Sequence, residues 1–327
     1  MAKISIIIPA YNAASTIYDT IVSIQSQTFT DFEIIVINDG STDKTWEILD
    51  SINDSRLKIF SYPNGGLSVA RNRGISHATG EFIAFLDADD LWTSDKLELQ
   101  LAALVQKPEA GFAYSWTYFM SEKEGFVFPG ERLFYQGNVY TKLLVKNFIA
   151  NGSNPLIRKQ IIDNVGEFDP GFSHYSDWDY WLRIACDYSF IVVPKYQVFY
   201  RQSNNSMSSK VDGIKEEGCT LIERLFYKVP IEYQFLKKQS LSVLLKYCAD
   251  LYLQHSLDRD GIIKAGQNLW MAISLYPPTL LNQDTIKILI RFLFKLLFPT
   301  QVSSYLLRLF RKMRNITQYN FSRRASN

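Results

Sequence analysis

Cysteine and histidine are scarce in this chain, three of each among 327 residues. Cys186, Cys219 and Cys248 show neither disulfide nor metal-ligand spacing, which excludes a small stapled fold and a thiolate zinc site. They are expected to be buried thiols in a reducing cytoplasm. His77, His174 and His255 are scattered, which excludes a histidine-rich zinc cluster. No secretory leader is expected either: Met1-Ala2-Lys3 runs straight into Ile4-Ser5-Ile6-Ile7-Ile8-Pro9, a strand-length run. Repeats and low-complexity tracts are absent. So is a marked net charge, although the value of +2 hides an asymmetry. Residues 285–327 hold nine basic residues and no acid, leaving 26 basic and 33 acidic residues in the rest.

What is present is core-forming material, 47% hydrophobic and 14% aromatic residues, so disorder is not the default reading. Residues 3–10, 32–37, 57–62 and 81–86 read as apolar strands. Helical patterns over 15–27, 42–49 and 67–78 separate them. Strands of this kind, each followed by a helix, predict a mostly parallel α/β sheet covered on both faces. Ligands of such sheets bind beyond the strands' carboxyl ends. Those ends read Pro9-Ala10-Tyr11-Asn12, Asn38-Asp39-Gly40-Ser41, Pro63-Asn64-Gly65-Gly66 and Asp87-Ala88-Asp89-Asp90. Further on, strands are expected over 110–120, 126–128 and 190–200, and helices over 138–150, 159–165 and 176–187. Residues 201–210 suit a polar loop, and 214–227, 236–257 and 261–274 suit helices. The pattern divides into an α/β domain over 1–210, a helical extension over 211–284 and a basic amphipathic tail over 285–327.

The fourth strand runs into a knot of acids, Asp87, Asp89 and Asp90. Two carboxylates about 5 Å apart repel by roughly 3 kcal/mol at an effective dielectric near 20. A divalent cation, an arginine, a helix N-terminus or a retained proton must relieve that repulsion. Asp87-Ala88-Asp89 is either an exposed acidic turn or a clamp in which one carboxylate ligates Mg²⁺ or Mn²⁺ and its neighbour holds a ribose hydroxyl or water. Asn38-Asp39-Gly40-Ser41-Thr42-Asp43 is a turn and helix cap, or it offers the Asp39 carboxylate to the ring N–H of uracil or thymine. Arg71 is a solvated helix arginine, or a fork for phosphate oxygens. In Ser176-Asp177-Trp178-Asp179-Tyr180-Trp181 the acids favour a helix N-terminus and the tryptophans fit a core. Alternatively, an acid there is a base for an acceptor hydroxyl and the aromatics stack on a sugar.

The segments SIIIPAYN, IIVINDGSTD, NGGLSVARNRGI, GEFIAFLDADD and SDWDYWLRIA, in this order, resemble the family 2 glycosyltransferases over residues 3–201. The resemblance implies the Rossmann-like fold called GT-A and inverting transfer of a sugar from a nucleotide donor, UDP-linked or dTDP-linked, to a hydroxyl. It implies that Pro9, Ala10 and Tyr11 line the nucleoside pocket, that Asp39 binds the base, that Arg71 lies near the base and diphosphate, that Asp87 approaches the ribose, and that Ala88 also lies in the nucleotide site. By the same likeness Asp89 ligates the metal and Asp177 is the general base. Asn64, Trp178, Asp179 and Trp181 are secondary candidates on the acceptor side. Ser176 stands where the family often has glutamate, which puts acceptor positioning in question.

Lys287, Arg291 and Lys295 recur every fourth residue in an otherwise apolar segment, and Arg308, Arg311 and Lys312 form a second such stripe. The segment is too short and too charged to span a bilayer. Its expected partner is an anionic membrane surface, placing the protein on the inner face of the cytoplasmic membrane. Packing on the acidic body or a homodimer is the alternative, and nucleic acid is not expected. A lipid-linked or cell-surface glycan acceptor suits a membrane-bound tail. Two rival functions remain, a nucleotidyltransferase and a non-catalytic glycan- or sugar-nucleotide-binding module. The first segment lacks the lysine of the former, and the acids speak against the latter.

Overall fold

A computed structural model of the chain describes residues 2–121, 126–202, 211–255 and 258–298. The chain divides into two compact units, Met1–Ser206 and Met207–Asn327.

The first unit is built on one nine-stranded sheet. Strands β1 (Ile4–Ala10), β2 (Phe32–Asp39), β3 (Leu57–Tyr62) and β4 (Phe82–Phe85) pair in parallel, in the order β3-β2-β1-β4. Every residue of β1, β2 and β4 is buried, as expected of a sheet covered on both faces. Four of those buried residues are polar, Ser5, Glu33, Asn38 and Asp39. Glu33 accepts hydrogen bonds from Ser5 at 2.6 Å, Thr79 at 2.7 Å and Lys58 at 2.7 Å. Burial alone raises its pKa, but these donors outweigh burial and lower it to about 2.

Helices α1 (Ile17–Gln25), α2 (Thr45–Asp50) and α3 (Leu67–His77) make the crossovers. In α1 the inward residues are Ile17, Thr20, Ile21 and Ile24, one face of a 3.6-residue period, and Val22 stays outside. Gly74 lets α3 approach β1, because a Cβ there would lie 2.2 Å from Ile7 Cγ2.

Beyond β4 the sheet becomes mixed. The remaining elements are β5 (Leu91–Trp92), α4 (Lys96–Gln106), β6 (Ala110–Ser121), β7 (Phe126–Pro129), α5 (Tyr140–Val145), β8 (Leu156–Arg158), α6 (Lys159–Val165), α7 (Ser176–Asp187) and β9 (Ser189–Gln202). The order continues β4-β8-β6-β9-β5, with β7 on the free edge of the β6 extension. Strand β8 runs antiparallel to both neighbours, while β6 and β9 are parallel. Between Ser115 and Trp116 the partner on β9 jumps from Val193 to Tyr196. The skipped residues are Pro194, which has no N–H to give the ladder, and Lys195.

The helix expected over 138–150 stops at Val145. Asn154 competes for the backbone beyond it: its side-chain carbonyl accepts from Ser115 N–H at 2.8 Å, and its amide donates to Ser115 O and Ile149 O. Ala150 also sits at φ 77, outside helical space. Helix α4 stands where periodicity assigns nothing, since Lys96 and Gln100 are buried on the same face as Leu97 and Leu104 and dilute the apolar pattern.

The second unit is helical: α8 (Val211–Lys228), α9 (Leu236–His255), α10 (Arg259–Leu275) and α11 (Gln283–Leu297). Gly266 of α10 admits Phe292 of α11, whose ring would lie 2.7 Å from an added Cβ. The basic stripe of α11 faces differently from its expected role. Arg291 pairs with Asp250 at 2.8 Å, Lys295 donates to Leu253 O at 2.6 Å and Lys287 pairs with Asp284 at 2.6 Å. The outward stripe is instead apolar, with Ile286, Leu293 and Leu297 exposed. Arg308, Arg311 and Lys312 lie outside the described residues. No helix among the described residues is long and apolar enough to cross a membrane. The thiols also depart from expectation: Cys248 is buried, and its pKa is raised to about 12 by that burial, whereas Cys186 is exposed.

Candidate active site

The loops at the carboxyl ends of β1, β2 and β3 are laced together by short polar side chains. Asn12 holds φ 48, a left-handed conformation that asparagine tolerates. Its N–H donates to Ser41 Oγ at 3.0 Å, and its side-chain carbonyl accepts from Thr42 N–H at 2.8 Å. Gly40 has φ 76, and a Cβ there would lie 2.8 Å from Asn64 N, so glycine is required twice over. Pro9 and Ala10 are buried in β1, while Tyr11 just beyond is 55% exposed. Of these three, only Tyr11 offers a side chain to a ligand.

Asp39 is expected to present its carboxylate to a base. The structure has it occupied. Gly65 N–H donates to both oxygens at 3.0 and 3.1 Å, Gly66 N–H at 2.8 Å, and Arg73 Nη1 at 2.8 Å. Those contacts take up the lone pairs of a buried carboxylate. Asp39 is therefore a clasp that fixes residues 63–66 against β2, and Asn64 reinforces it by donating to Asp39 O at 2.9 Å. Arg73 lies over the Tyr62 ring at 4.6 Å.

The knot of acids after β4 is resolved by an arginine and by burial. Arg71 Nη2 donates to Asp87 Oδ1 at 2.8 Å, and its Nη1 lies 3.4 Å from Ser176 Oγ. The guanidinium is only 2% exposed. It lies against Gly152, where a Cβ would come within 2.2 Å of Nη2, and 5.3 Å from the centre of the Phe168 ring. Arg71 is thus neither a solvated helix arginine nor an open phosphate fork. It is a buried cation joining the acidic turn to the start of α7. Ser176 Oγ accepts from that cation's other amino group.

Asp90 is wholly buried. Ser153 Oγ donates to its Oδ2 at 2.5 Å and accepts from Asp87 N–H at 3.0 Å, while Arg201 N–H donates to Asp90 Oδ1 at 2.9 Å. Burial first, then the charges of Asp89 and Asp87, push the Asp90 carboxyl well above the usual range, toward the neutral acid. Arg201 Nε also donates to Asp89 O at 2.8 Å. The turn that carries Asp87 and Asp89 is therefore held by β9 and by the 150–154 segment. Ala88 is buried, and its carbonyl accepts from Thr20 Oγ1 at 3.0 Å.

Helix α7 begins at Ser176 and delivers Asp177 beside this group. Its Oδ1 accepts from Trp178 N–H at 2.7 Å and its Oδ2 from Asn147 Nδ2 at 3.3 Å. The carboxylate is half-buried, so part of its surface stays open. Burial raises its pKa; the Arg71 charge opposes that rise and Asp87 adds to it. The secondary candidates on the same helix turn elsewhere. Asp179 is buried and accepts from Arg183 Nε at 2.9 Å. Trp178 Nε1 donates to Leu143 O at 2.8 Å, and Trp181 is fully buried, its ring centre 5.1 Å from that of Phe112. These three are core, and none of their side chains is free to stack on a sugar.

The structure thus brings Arg71, Asp87, Ser176 and Asp177 together and sets Tyr11 and the Asp39 clasp at neighbouring strand ends. Sequence reasoning missed Arg73, Ser153 and Asn147, and it named Asp90 in the knot of acids without assigning the retained proton to it. Arg73 follows Arg71 by two, so it was in view. Ser153 and Asn147 carried no local signal. For a metal the donor set is oxygen: Asp87, with Oδ1 on Arg71, and Asp89. Among the described residues no three His, Cys, Asp or Glu side chains converge as a ligand group. Two carboxylates fit Mg²⁺ or Mn²⁺ only where substrate phosphates complete the shell, which is how such ions are commonly held.

The sequence profile described as "Glycosyltransferase like family 2" matches residues 5–249. The chain is 33% identical over 210 residues to the Escherichia coli UDP-Glc:alpha-D-GlcNAc-diphosphoundecaprenol beta-1,3-glucosyltransferase WfgD, covering 63% of this chain and 79% of that one. It is 39% identical over 145 residues to an uncharacterized glycosyltransferase of Rickettsia felis, covering 43% of this chain but only 24% of that longer protein. Among solved structures, S. aureus TarS 1–349 in complex with UDP-GlcNAc superposes with a TM-score of 0.58 at 18% identity, over 85% of this chain and 91% of that one. At that identity the likeness speaks for the fold alone.

Proposed function

The chain belongs to the glycosyltransferase family 2-like proteins, and from that premise we propose that it moves a sugar from a UDP-linked donor to a hydroxyl of a lipid-linked glycan, with inversion at the anomeric carbon. The observation that carries this reading is Asp177, a half-buried carboxylate oriented by Asn147 and the Trp178 N–H, with its pKa raised, beside an arginine-bound Asp87. As the acceptor hydroxyl attacks the anomeric carbon, Asp177 takes its proton. The bond from that carbon to the diphosphate oxygen breaks, and the nucleoside diphosphate leaves. Asn147 and the Trp178 N–H fix the direction of the carboxylate. Arg71 keeps Asp87 paired and limits how far the Asp177 pKa rises. Tyr11 supplies an exposed ring for the base, above the loop that Asp39 clasps. Asp89, with Asp87, would hold Mg²⁺ or Mn²⁺, and that ion would supply positive charge to the departing diphosphate.

The donor is read from relatives: WfgD is named for UDP-Glc, and the TarS structure holds UDP-GlcNAc. WfgD's name also supplies the acceptor class, a diphosphate-linked glycolipid. An acceptor of that kind sits at a bilayer, and we assign contact with it to the outward stripe Ile286, Leu293 and Leu297. Because two of the three cations of α11 are ion-paired and Lys295 is held on Leu253 O, binding to anionic vesicles should resist salt and be lost in Leu293→Glu. Vesicle sedimentation checks this, and equal sedimentation of that variant would remove the assignment.

The deciding experiment is release of nucleoside diphosphate across a panel of donors. UDP release that requires a glycan acceptor, stops with a chelator and returns with Mn²⁺ is expected. Release of pyrophosphate instead would make the chain a nucleotidyltransferase. Donor binding without release would make it a binding module.

A further inference from the structure

Strand β6 carries an aromatic surface that the chemistry above leaves unused. Its alternation sets Phe112, Tyr114, Trp116 and Tyr118 on one face. The inner end is core, Phe112 on Trp181. Further out, the 130–137 segment is tied across that face: Tyr114 OH donates to Tyr135 O at 2.7 Å and Trp116 Nε1 to Leu133 O at 2.9 Å. Trp116 then meets Phe134 and Tyr196 at 5.2 and 5.3 Å between ring centres, and Tyr118 stacks on Tyr196 at 4.5 Å. Phe134 is 63% exposed.

Two cations flank these rings. The Arg132 guanidinium lies 5.6 Å from the centre of the Trp116 ring and 5.7 Å from that of Tyr196, and Lys142 Nζ lies 5.7 Å from the centre of Tyr135. Both cations are exposed, and neither has a carboxylate partner among the described residues. The surface is continuous with the base: Tyr135 packs edge-on to Phe148 at 5.1 Å, and the preceding residue, Asn147, donates to Asp177.

We propose that this surface is the acceptor subsite and takes a phosphate-bearing glycan, with sugar faces on Phe134, Trp116 and Tyr196 and the phosphate on Arg132 and Lys142. A pyranose ring has C–H faces and hydroxylated edges, so it lies flat on an electron-rich ring while its edges stay wet. A guanidinium that rests on ring faces without a carboxylate keeps its N–H fork available for a phosphate. A second copy of the chain would cover the aromatics but would leave like cations facing one another unless it brought acids to them. The inference rests on the transfer reading above for what the glycan does there.

Saturation-transfer NMR on the full chain tests it with two probes. One is α-D-GlcNAc-diphosphate esterified to a short alkyl chain, and the other is the alkyl α-D-GlcNAc glycoside without the diphosphate. The diphosphate probe is expected to bind about tenfold more tightly than the glycoside. Arg132→Ala should remove most of that preference. Phe134→Ala should weaken both probes about tenfold, a change of roughly 1.4 kcal/mol. UDP affinity, measured in parallel, should hold in both variants. Wild type binding neither probe, or both variants binding like wild type, overturns the subsite whatever the donor assay gives. So does a dimer lost in Phe134→Ala without glycan binding. Probe binding with no nucleoside diphosphate release would instead leave the subsite standing and sink the transfer reading.

Discussion

The two halves of the sheet are held together by different means. In the parallel half, Ile4–Phe85, buried aliphatic strands do the packing, and the polar groups gather in loops at one edge. In the mixed half, Leu91–Gln202, side-chain amides take over backbone pairing, as Asn154 does for Ser115, and aromatic ladders replace covering helices on the outer part of β6. The first arrangement is dictated by connectivity, because any chain wound this way brings its strand ends together. The second depends on particular side chains meeting. An edge made by topology follows from the winding of the chain, while a surface made by side chains depends on each residue in it.

That contrast is sharpest at α7, where both halves contribute, and the largest effect is expected there. Asp177→Asn should lower transfer by about 10²- to 10⁴-fold with UDP affinity retained. Asp179→Asn should spare turnover and weaken the Arg183 clamp, a stability loss of about 1–3 kcal/mol by thermal or urea unfolding. If the two variants lose activity alike, Asp177 has no special role as base. Next in size is Arg71→Met, which leaves Asp87 without its partner inside the fold, a loss of about 3–5 kcal/mol. It also removes the charge that opposes the rise in the Asp177 pKa.

The pH profile follows from the same group. A base works when deprotonated, so transfer should fall as pH drops through the raised Asp177 pKa, an acid limb shifted upward from that of a free aspartate. In Arg71→Met, if it folds, that limb should move higher still; an unmoved limb would detach the two residues. Smaller effects come from the buried acids of each half. Asp90→Leu leaves Ser153 and the Arg201 N–H unpaired and should cost about 1–3 kcal/mol for each group, whereas Asp90→Asn, close to the neutral acid, should cost less. Glu33 has the opposite sign: its folded pKa is depressed, so its contribution is present above about 4.5 and lost as pH falls toward about 2. Glu33→Gln should flatten that part of an acid-unfolding curve.

The parallel half was legible because its signals are local. Residues 57–62 and 67–78 read as a strand and a helix, and the structure has β3 at Leu57–Tyr62 and α3 at Leu67–His77. Helix α7 read equally well, Ser176–Asp187 in both. The mixed half was legible only in part. Three-residue β8 is too short to show a period, and α4 buries a lysine and a glutamine that mimic an exposed face. The same divide runs through the site. The motif acids were visible, but not that Asp39 would be consumed by Gly65, Gly66 and Arg73, or that Arg71 would be sealed inside.

The sequence by itself determined that strands end in acids and small polar residues along one edge of an α/β sheet, because periodicity and turn chemistry act within a few residues. Only the tertiary structure decided what each acid does. Asp87 meets an arginine, Asp90 is enclosed and driven toward its neutral form, and the half-buried Asp177 has its pKa raised. Solvation and neighbouring charge set those states, and both are supplied by residues far away in the chain.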